Sequence, residues 1–146
     1  MRHGDAVDAR ASGNDESRWL TDFGRDECAR TAIALRASDP RVQQIFSSPY
    51  VRARQTAEIA AKALGLLEPI GDIGALIPEG DPHEVLRQLS ELGDVASVLL
   101  AGHEPSMHRI AALLTGQSSF PAFEKSEIIS VEWGPDRNGV VRFRAV

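Results

Sequence analysis

The sequence predicts an α/β fold in which helices cover both faces of a mostly parallel sheet. Short apolar runs alternate along the chain with segments whose apolar residues recur at helical spacing. One run, residues 96–101, is almost entirely apolar, as in strands buried on both faces. The length of 146 residues, with 42% apolar and 25% charged residues, fits one globular domain. We therefore expect a three-layer sandwich with functional residues just beyond the carboxyl ends of its strands.

The first half of the chain predicts two helices separated by a strand. Thr21 can cap the first helix, which ends near residues 39–40. Helical spacing predicts that its apolar face comprises Cys28, Ala29, Ala32, Ile33 and Leu35. Residues 42–46 form a short strand, and residues 51–64 return to helical spacing up to Gly65. A strand thus leads directly into the second helix.

The second half predicts further alternation of strands and helices, closed by a hairpin. The predicted elements are a short strand at 69–73, a helix at 83–92, a strand at 96–101, a helix at 107–114 and strands at 128–133 and 140–143. Gly93 and Gly116 lie where the two helices should stop. Residues 135–139 read Pro-Asp-Arg-Asn-Gly, a strong turn signal between the last two strands.

Charge and cysteine content exclude several classes of function. The net charge of −5 would repel a phosphate backbone, so we expect no nucleic-acid partner. No apolar run approaches the roughly 18 residues of a membrane span. A single cysteine, Cys28, and the lack of a signal-peptide pattern predict a cytoplasmic protein. No metal or other cofactor is expected, because the histidines and the cysteine lack ligand spacing.

Three short polar segments lie where a predicted strand gives way to a helix or a loop. Arg2-His3-Gly4 stands at the start, Ser48 to Ala53 follows the strand at 42–46, and Gly102 to Pro105 follows the strand at 96–101. Together they offer two guanidiniums and two imidazoles. These groups can hold a dianionic phosphoryl group and present a ring nitrogen to its phosphorus. The chemistry indicated is phosphoryl transfer through histidine.

At these residues the chain resembles the histidine phosphatase superfamily, the phosphoglycerate-mutase-like proteins, and most closely their small SixA-type phosphohistidine phosphatases. The matching segments, in order, are residues 1–6, 20–24, 48–57, 78–81 and 102–103. An isolated Arg-His-Gly triplet is weak evidence, whereas an ordered set at predicted strand ends is strong. The resemblance implies a phosphoglycerate-mutase-like fold and a single histidine phosphatase domain over residues 1–146.

The resemblance also implies roles for individual residues. His3 is the nucleophile that becomes phosphorylated, and Arg2, Arg52 and His103 surround the phosphate. Charge spreads over three oxygens in the transition state, so two arginines and a protonated His103 would stabilise it. The arginines would also help to keep His3 neutral. Gly4 either lets the backbone approach the phosphate closely or permits an unusual turn.

The identity of a general acid stays open. Larger family members place a glutamate in the loop that follows the Arg52 helix, where this chain offers Glu79 and Asp81. Asp81 matches the SixA-type pattern better, Glu79 has the family-like chemical type, and a third alternative is that neither is essential. A phosphohistidine expels an imidazole, whose conjugate acid has a pKa of about 6.5, so it tolerates a weak acid better than an alkyl phosphate does.

The function implied is a metal-independent phosphatase that removes phosphate from phosphohistidine in proteins through phospho-His3. Only 50 residues separate Arg52 from His103, so no lid domain is inserted, and the resulting open pocket suits a protein substrate. The expected partner is a phosphohistidine-bearing protein such as a histidine phosphotransfer domain, and phosphate or sulfate should fit the site. The alternatives are a phosphatase for small phosphomonoesters and a non-catalytic, phosphate-dependent binding module.

The remaining expectations concern the first strand and the other basic residues. In the family an apolar strand precedes Arg-His-Gly, whereas only Met1 precedes Arg2 here, so we expect that strand to be shortened or missing. His83 and His108 match no family segment and are predicted to be non-catalytic. Arg18 is grouped with the solvated arginines, and Arg54 should face away from the phosphate because it lies about 200° around the helix from Arg52.

Overall fold

The computed structural model describes residues 1–38, 41–93, 95, 97–133 and 139–146 and contains the predicted α/β architecture. Its helices are α1 (Ala9–Ser12), α2 (Asp22–Ala37), α3 (Val51–Leu64), α4 (Pro82–Ser90) and α5 (Ser106–Thr115). Its strands are β1 (Gln44–Ser47), β2 (Gly71–Asp72), β3 (Val98–Ala101), β4 (Ile128–Glu132) and β5 (Val140–Ala145). A 3₁₀ turn, Gly74–Leu76, follows β2. The predicted break at Asp39 and Pro40, Ala96 at the start of a predicted strand, and residues 135–138 of the predicted turn lie outside the described residues.

The strands β2, β1 and β3 form a parallel sheet in that order, and β4 pairs with β5 in antiparallel fashion. Alternate side chains of the parallel sheet point to opposite faces. Ile45 and Leu99 pack into one apolar cluster with residues of α2 and α3. Phe46 and Leu100 pack into a second cluster with residues of α4 and α5. The predicted three-layer sandwich with helices on both faces is therefore confirmed.

The first residues of the chain lie beside the carboxyl end of β3. Met1 O accepts a hydrogen bond from Gly102 N at 3.1 Å, and His3 N donates to Gly102 O at 3.0 Å. Arg2 N donates to Glu127 O at 2.9 Å, so this segment lies between β3 and the start of β4. It makes one parallel bridge, Arg2 with Gly102. Met1 also lines a cavity of about 310 Å³ together with residues of β3 and β4. The bridge fixes Arg2 and His3 at the sheet edge where ligands bind in α/β folds.

The helix boundaries follow the local signals in the sequence, with one error on a helix face. Thr21 caps α2, since its hydroxyl accepts a hydrogen bond from Gly24 N at 3.0 Å. The α3 helix spans the predicted residues and ends at Gly65, which has a φ of 73°. Ile33 is 58% exposed, so its predicted place on the buried face of α2 is wrong. It follows the buried Ala32 by about 100° of helical rotation, which turns it to solvent.

No helix among the described residues is long and apolar enough to cross a membrane.

Candidate active site

The structure brings the predicted histidines and Arg52 together at the carboxyl ends of neighbouring strands. His3 follows the bridge beside β3, His103 follows β3 itself, and Arg52 lies in the first turn of α3, just after β1. The three residues are buried, with exposed fractions of 8% for His3, 1% for His103 and 3% for Arg52. The centroids of the two imidazole rings are 4.8 Å apart. Parallel strands thus gather groups that are about 50 and 100 residues apart in the chain.

Arg2 belongs to the same group of side chains. Its Nη1 donates to Phe123 O at 2.6 Å, and its Nε is buried with no hydrogen-bond partner among the described residues. Burial is the main cause that lowers the pKa of His3 and of His103, and the charge of Arg2 lowers both further. Arg2 and Arg52 therefore place two guanidinium charges around the histidine pair.

Hydrogen bonds indicate which ring nitrogen of His3 is unprotonated and carries the nucleophilic lone pair. Its Nδ1 lies 2.7 Å from Gly4 O, and a carbonyl oxygen only accepts, so Nδ1 holds the proton. The lone pair of the neutral ring is then on Nε2, which accepts a hydrogen bond from Arg52 Nε at 3.2 Å. The nucleophilic nitrogen thus faces the guanidinium that would hold a phosphoryl group.

Burial and neighbouring cations keep His3 neutral. Burial is the largest cause that lowers the pKa of His3 from 6.5 to about 4, and the charges of Arg52 and Arg2 lower it further, against the opposing effect of the hydrogen bond to Gly4 O. A neutral imidazole has the lone pair that nucleophilic attack requires. The arginines therefore lower the pKa of His3 as predicted, although burial lowers it more.

The depressed pKa predicts how His3 responds to pH. His3 should stay neutral as the pH falls from 8 to 5 and should protonate only near pH 4. In the unfolded chain it protonates near pH 6.5, so the unfolded state binds more protons between these values and the free energy of unfolding should fall as the pH falls. NMR titration of the His3 Cε1–H resonance checks this expectation. A midpoint near 6.5 for that resonance in the folded protein would contradict it.

His103 differs from its predicted charge state. Burial lowers its pKa to about 2, with further contributions from the neighbouring His3 and Arg52, so the ring is neutral at pH 7. Protonation of His103 beside a bound phosphoryl dianion, which would raise its pKa, stays a prediction. Its Nε2 lies 3.0 Å from Ser48 Oγ, and the Tyr50 ring packs against it in an edge-to-face arrangement with centroids 5.0 Å apart. Positive charge at the site thus comes from arginine rather than from His103.

Gly4 is explained by close packing against α2. A Cβ at this position would lie 2.6 Å from Cys28 Sγ and 2.7 Å from Gly24 O, so a larger residue would force the segment off the helix. Gly4 does not have a positive φ, so the alternative explanation, that it permits an unusual turn, is wrong. Gly4 N donates to Thr56 Oγ1 at 3.2 Å, and a contact of Gly4 with phosphate stays a prediction.

Two residues outside the predicted set belong to the site. Asp15 Oδ2 accepts a hydrogen bond from Arg52 Nη2 at 2.9 Å, and Asp15 Oδ1 pairs with Arg18 Nη1 at 2.9 Å. Arg18 also donates from Nε to Val7 O at 2.6 Å, and its charge lowers the pKa of His3. Its prediction as a merely solvated arginine is therefore wrong. Asp15 and Arg18 lie three positions apart in an irregular segment, which gives no periodic signal in the sequence.

The two candidate acids lie apart from these contacts. Asp81 caps α4, since its Oδ1 accepts a hydrogen bond from His83 N at 2.9 Å. Glu79 is exposed in the preceding loop. Within the described residues, neither carboxyl group makes a hydrogen bond to His3 or Arg52. The structure therefore does not bring Asp81 or Glu79 into the hydrogen-bonded group around His3.

Two further basic residues, Arg54 and His108, have partners outside the group around His3. Arg54 donates to Ile70 O at 3.0 Å and pairs with Asp72 in β2, which agrees with its predicted direction away from Arg52. His108 pairs through Nδ1 with Glu104 Oε2, one helical turn earlier in the chain. Both residues thus have local structural partners.

Comparison with known proteins agrees with the geometry. A family model described as the histidine phosphatase superfamily (branch 1) matches residues 1–74. The phosphohistidine phosphatase SixA of Escherichia coli (strain K12) is 34% identical to this chain, covering 99% of it and 89% of that protein. The structure of the protein histidine phosphatase SixA complexed with tungstate superposes with a TM-score of 0.89 at 34% identity, covering 99% of this chain and 92% of that one.

The fold extends to more distant structures. A mycobacterial glucosyl-3-phosphoglycerate phosphatase has a TM-score of 0.66 at 16% identity, covering 97% of this chain and 92% of that one, and this likeness concerns the fold alone. The family match over the first half, the full-length similarity and the shared fold confirm the resemblance drawn from the five ordered segments. The chain belongs to the histidine phosphatase superfamily.

Proposed function

We propose that this chain is a metal-independent phosphatase that removes phosphate from phosphohistidine in proteins through a phospho-His3 intermediate. The observation that carries the proposal is the neutral, buried His3, whose unprotonated Nε2 accepts a hydrogen bond from the Arg52 guanidinium. Membership of the superfamily and the similarity to SixA, a phosphohistidine phosphatase, support it. The proposed phosphate-binding group comprises Arg2, Gly4, Arg52 and His103.

In the first step, Nε2 of His3 attacks the phosphorus of the substrate. A P–N bond to His3 forms as the P–N bond to the substrate histidine breaks. The substrate ring reacts with its other nitrogen protonated, so the electron pair of the broken bond stays on a neutral imidazole that leaves. Arg52 and Arg2 stabilise the charge on the three equatorial oxygens. Throughout the step the proton stays on His3 Nδ1, which donates a hydrogen bond to Gly4 O, and this bond keeps the ring in the reactive orientation.

In the second step, water attacks the phosphorus of phospho-His3. The P–N bond breaks, its electron pair returns to Nε2, and the proton lost by water passes to the released phosphate or to solvent. The neutral His103 lies next to His3, and its Nδ1, which is unpaired among the described residues, can donate a hydrogen bond to a phosphoryl oxygen while Nε2 accepts from the Ser48 hydroxyl. Both steps proceed without a metal ion in this proposal.

The substrate assignment follows from the leaving group. Transfer from a substrate histidine to His3 exchanges one P–N bond for another. The free-energy change of this step is therefore close to zero, and the step needs no strong protein acid. An alkyl phosphate would have to expel an alkoxide, for which a carboxylic acid beside the site is valuable. The positions of Asp81 and Glu79 outside the hydrogen-bonded group of His3 favour the phosphohistidine substrate.

A comparison of rates separates this proposal from the alternative of small phosphomonoesters. The purified chain would be given a phosphorylated histidine phosphotransfer domain and a set of sugar phosphates at equal concentration and pH. We expect kcat/KM for the phosphoprotein to exceed that for every sugar phosphate. A preference for the sugar esters would overturn the substrate assignment.

Substitution of the two carboxyl groups tests the argument about the acid. Asp81→Asn keeps a good helix cap, and Glu79→Gln changes an exposed side chain, so both variants should fold. We expect each to slow single-turnover cleavage of phosphohistidine by less than about threefold, against the 10²- to 10⁴-fold loss typical of a missing general acid. If either residue is the acid for alkyl phosphates, that larger loss appears only with those substrates. A large, equal loss on both substrate types would show that P–N cleavage also needs a strong acid.

The proposal extends to the setting of the protein. It takes residues 1–146 as one histidine phosphatase domain, located in the cytoplasm, whose partner is a phosphohistidine-bearing protein such as a histidine phosphotransfer domain. Phosphate or sulfate is expected to bind between Arg2 and Arg52, because both anions match the guanidinium geometry. The similarity to a SixA that binds tungstate supports an oxyanion site.

A further inference from the structure

Each of the three nitrogens of the Arg52 guanidinium donates a hydrogen bond to a group of the chain itself. Nε donates to His3 Nε2 at 3.2 Å, Nη2 donates to Asp15 Oδ2 at 2.9 Å, and Nη1 donates to the main-chain oxygen of Asp15. The Nε and Nη2 atoms form one edge of the guanidinium, and such an edge binds two oxygens of a carboxylate or phosphoryl group. That edge therefore lies between the proposed nucleophile and the Asp15 carboxylate.

The Asp15 carboxylate occupies a position that suits a phosphoryl oxygen. A phosphoryl group bonded to His3 Nε2 would have its oxygens along the Nε–Nη2 edge of Arg52, where Asp15 Oδ2 now lies. The second oxygen of Asp15 pairs with Arg18 Nη1 at 2.9 Å. One carboxylate thus neutralises two arginines, as a bound oxyanion would.

The main chain and the side chain of Asp15 each contact Arg52 separately. Its main-chain oxygen holds Nη1, whereas its carboxylate holds Nη2. The Asp15 side chain is 50% exposed, so it can rotate into solvent, whereas the Arg52 side chain is only 4% exposed. Rotation of the carboxylate would free one edge of Arg52 without removing the contact that orients the guanidinium.

We propose that the Asp15 carboxylate is an internal competitor for the phosphoryl-binding edge of Arg52 and for Arg18, and that it leaves this position when the phosphoryl group binds. The proposal rests on the proposed function only in taking a phosphoryl group as the ligand. Arg18 then becomes a further phosphoryl-binding residue, released by the same rotation. When orthophosphate forms, the returning carboxylate competes for both arginines and promotes its release. Asp15 therefore sets the affinity of the site for oxyanions.

The test is the affinity of the full chain for orthophosphate, measured by calorimetry. Asp15→Asn keeps the main-chain oxygen and the side-chain size but removes the negative charge. Because the competing ion pairs are lost, we expect orthophosphate to bind about fivefold more tightly. Glu16→Gln is the matched control, since it removes one charge from the adjacent residue, whose exposed side chain makes no hydrogen bond among the described residues. It should change the affinity by less than about twofold.

A second measurement follows the carboxylate itself. With ¹³C-labelled aspartate, the Asp15 carboxyl resonance should shift toward the position of a solvated carboxylate as orthophosphate saturates the wild type. Weaker or unchanged binding by Asp15→Asn, or an Asp15 resonance that does not respond to orthophosphate, would overturn the proposal. If Asp15→Asn binds orthophosphate more tightly but the wild-type chain does not cleave phosphohistidine, Asp15 is upheld as the competitor and the proposed function is overturned.

Discussion

His3→Ala is expected to abolish turnover, with a loss of about 10⁴-fold or more in kcat on a phosphohistidine protein. The substitution removes the only atom that the mechanism uses to accept the phosphoryl group, and removal of a nucleophile in covalent catalysis has effects of this size or larger. Arg2, Arg52 and His103 would still bind the phosphate, so KM should change far less than kcat.

The fold should survive this substitution. His3 contributes one side-chain hydrogen bond to Gly4 O and one to Arg52, and its main-chain bonds to Gly102 and Ser126 are kept. Circular dichroism and thermal unfolding should therefore resemble those of the wild type within a few degrees. His83→Ala provides a matched control, because His83 is exposed on α4, and it should keep full activity. Residual turnover by His3→Ala within tenfold of the wild type would exclude His3 as the nucleophile.

Arg52→Ala is expected to keep the nucleophile but to lose much of the stabilisation of the transition state. Loss of one preorganised donor to a developing oxyanion costs about 2.7 to 4 kcal/mol, or 10²- to 10³-fold in kcat. Arg52 is the guanidinium that contacts His3 Nε2 directly, so the effect should appear in single-turnover rates as well as in the steady state. The same variant should bind orthophosphate more weakly than the wild type.

Arg54→Ala is the matched control on the same helix. It removes an equal charge two residues further along α3, where the side chain pairs with Asp72 and Ile70 O. Such a partly exposed pair contributes little, so activity should fall by less than about twofold. Arg52→Lys separates charge from geometry, since lysine keeps the charge but lacks the planar pair of donors. Equal activity of Arg52→Ala and the wild type at all substrate concentrations would remove Arg52 from the site.

The elements that the sequence predicted well are those with a strong local signal. Residues 51–64 combine helical spacing with a following Gly65, and α3 has these bounds in the structure. His3 and Arg52 were found because both lie in ordered segments after predicted strands. Topology then brings them into contact, since parallel strands present their carboxyl ends at one edge.

The features that the sequence did not predict depend on tertiary packing. Asp15 and Arg18 lie in an irregular segment, and their roles arise only when that segment contacts α3 through Arg52. The neutral state of His103 results from burial, which no local pattern around the residue reports. The need for Gly4 likewise comes from Cys28 on a different element, so the sequence offered only local explanations.

The central claim is that His3 becomes phosphorylated during turnover, and rapid quenching tests it most directly. The protein in excess would be mixed with a histidine phosphotransfer domain bearing ³²P-phosphohistidine, and the reaction stopped within the first turnover. We expect acid-labile, alkali-stable label on this chain, located at His3, that appears before free phosphate and decays as phosphate forms. A non-catalytic binding module would form no such label and release no phosphate. Release of phosphate by the wild type with no label on His3 at any time would contradict the account.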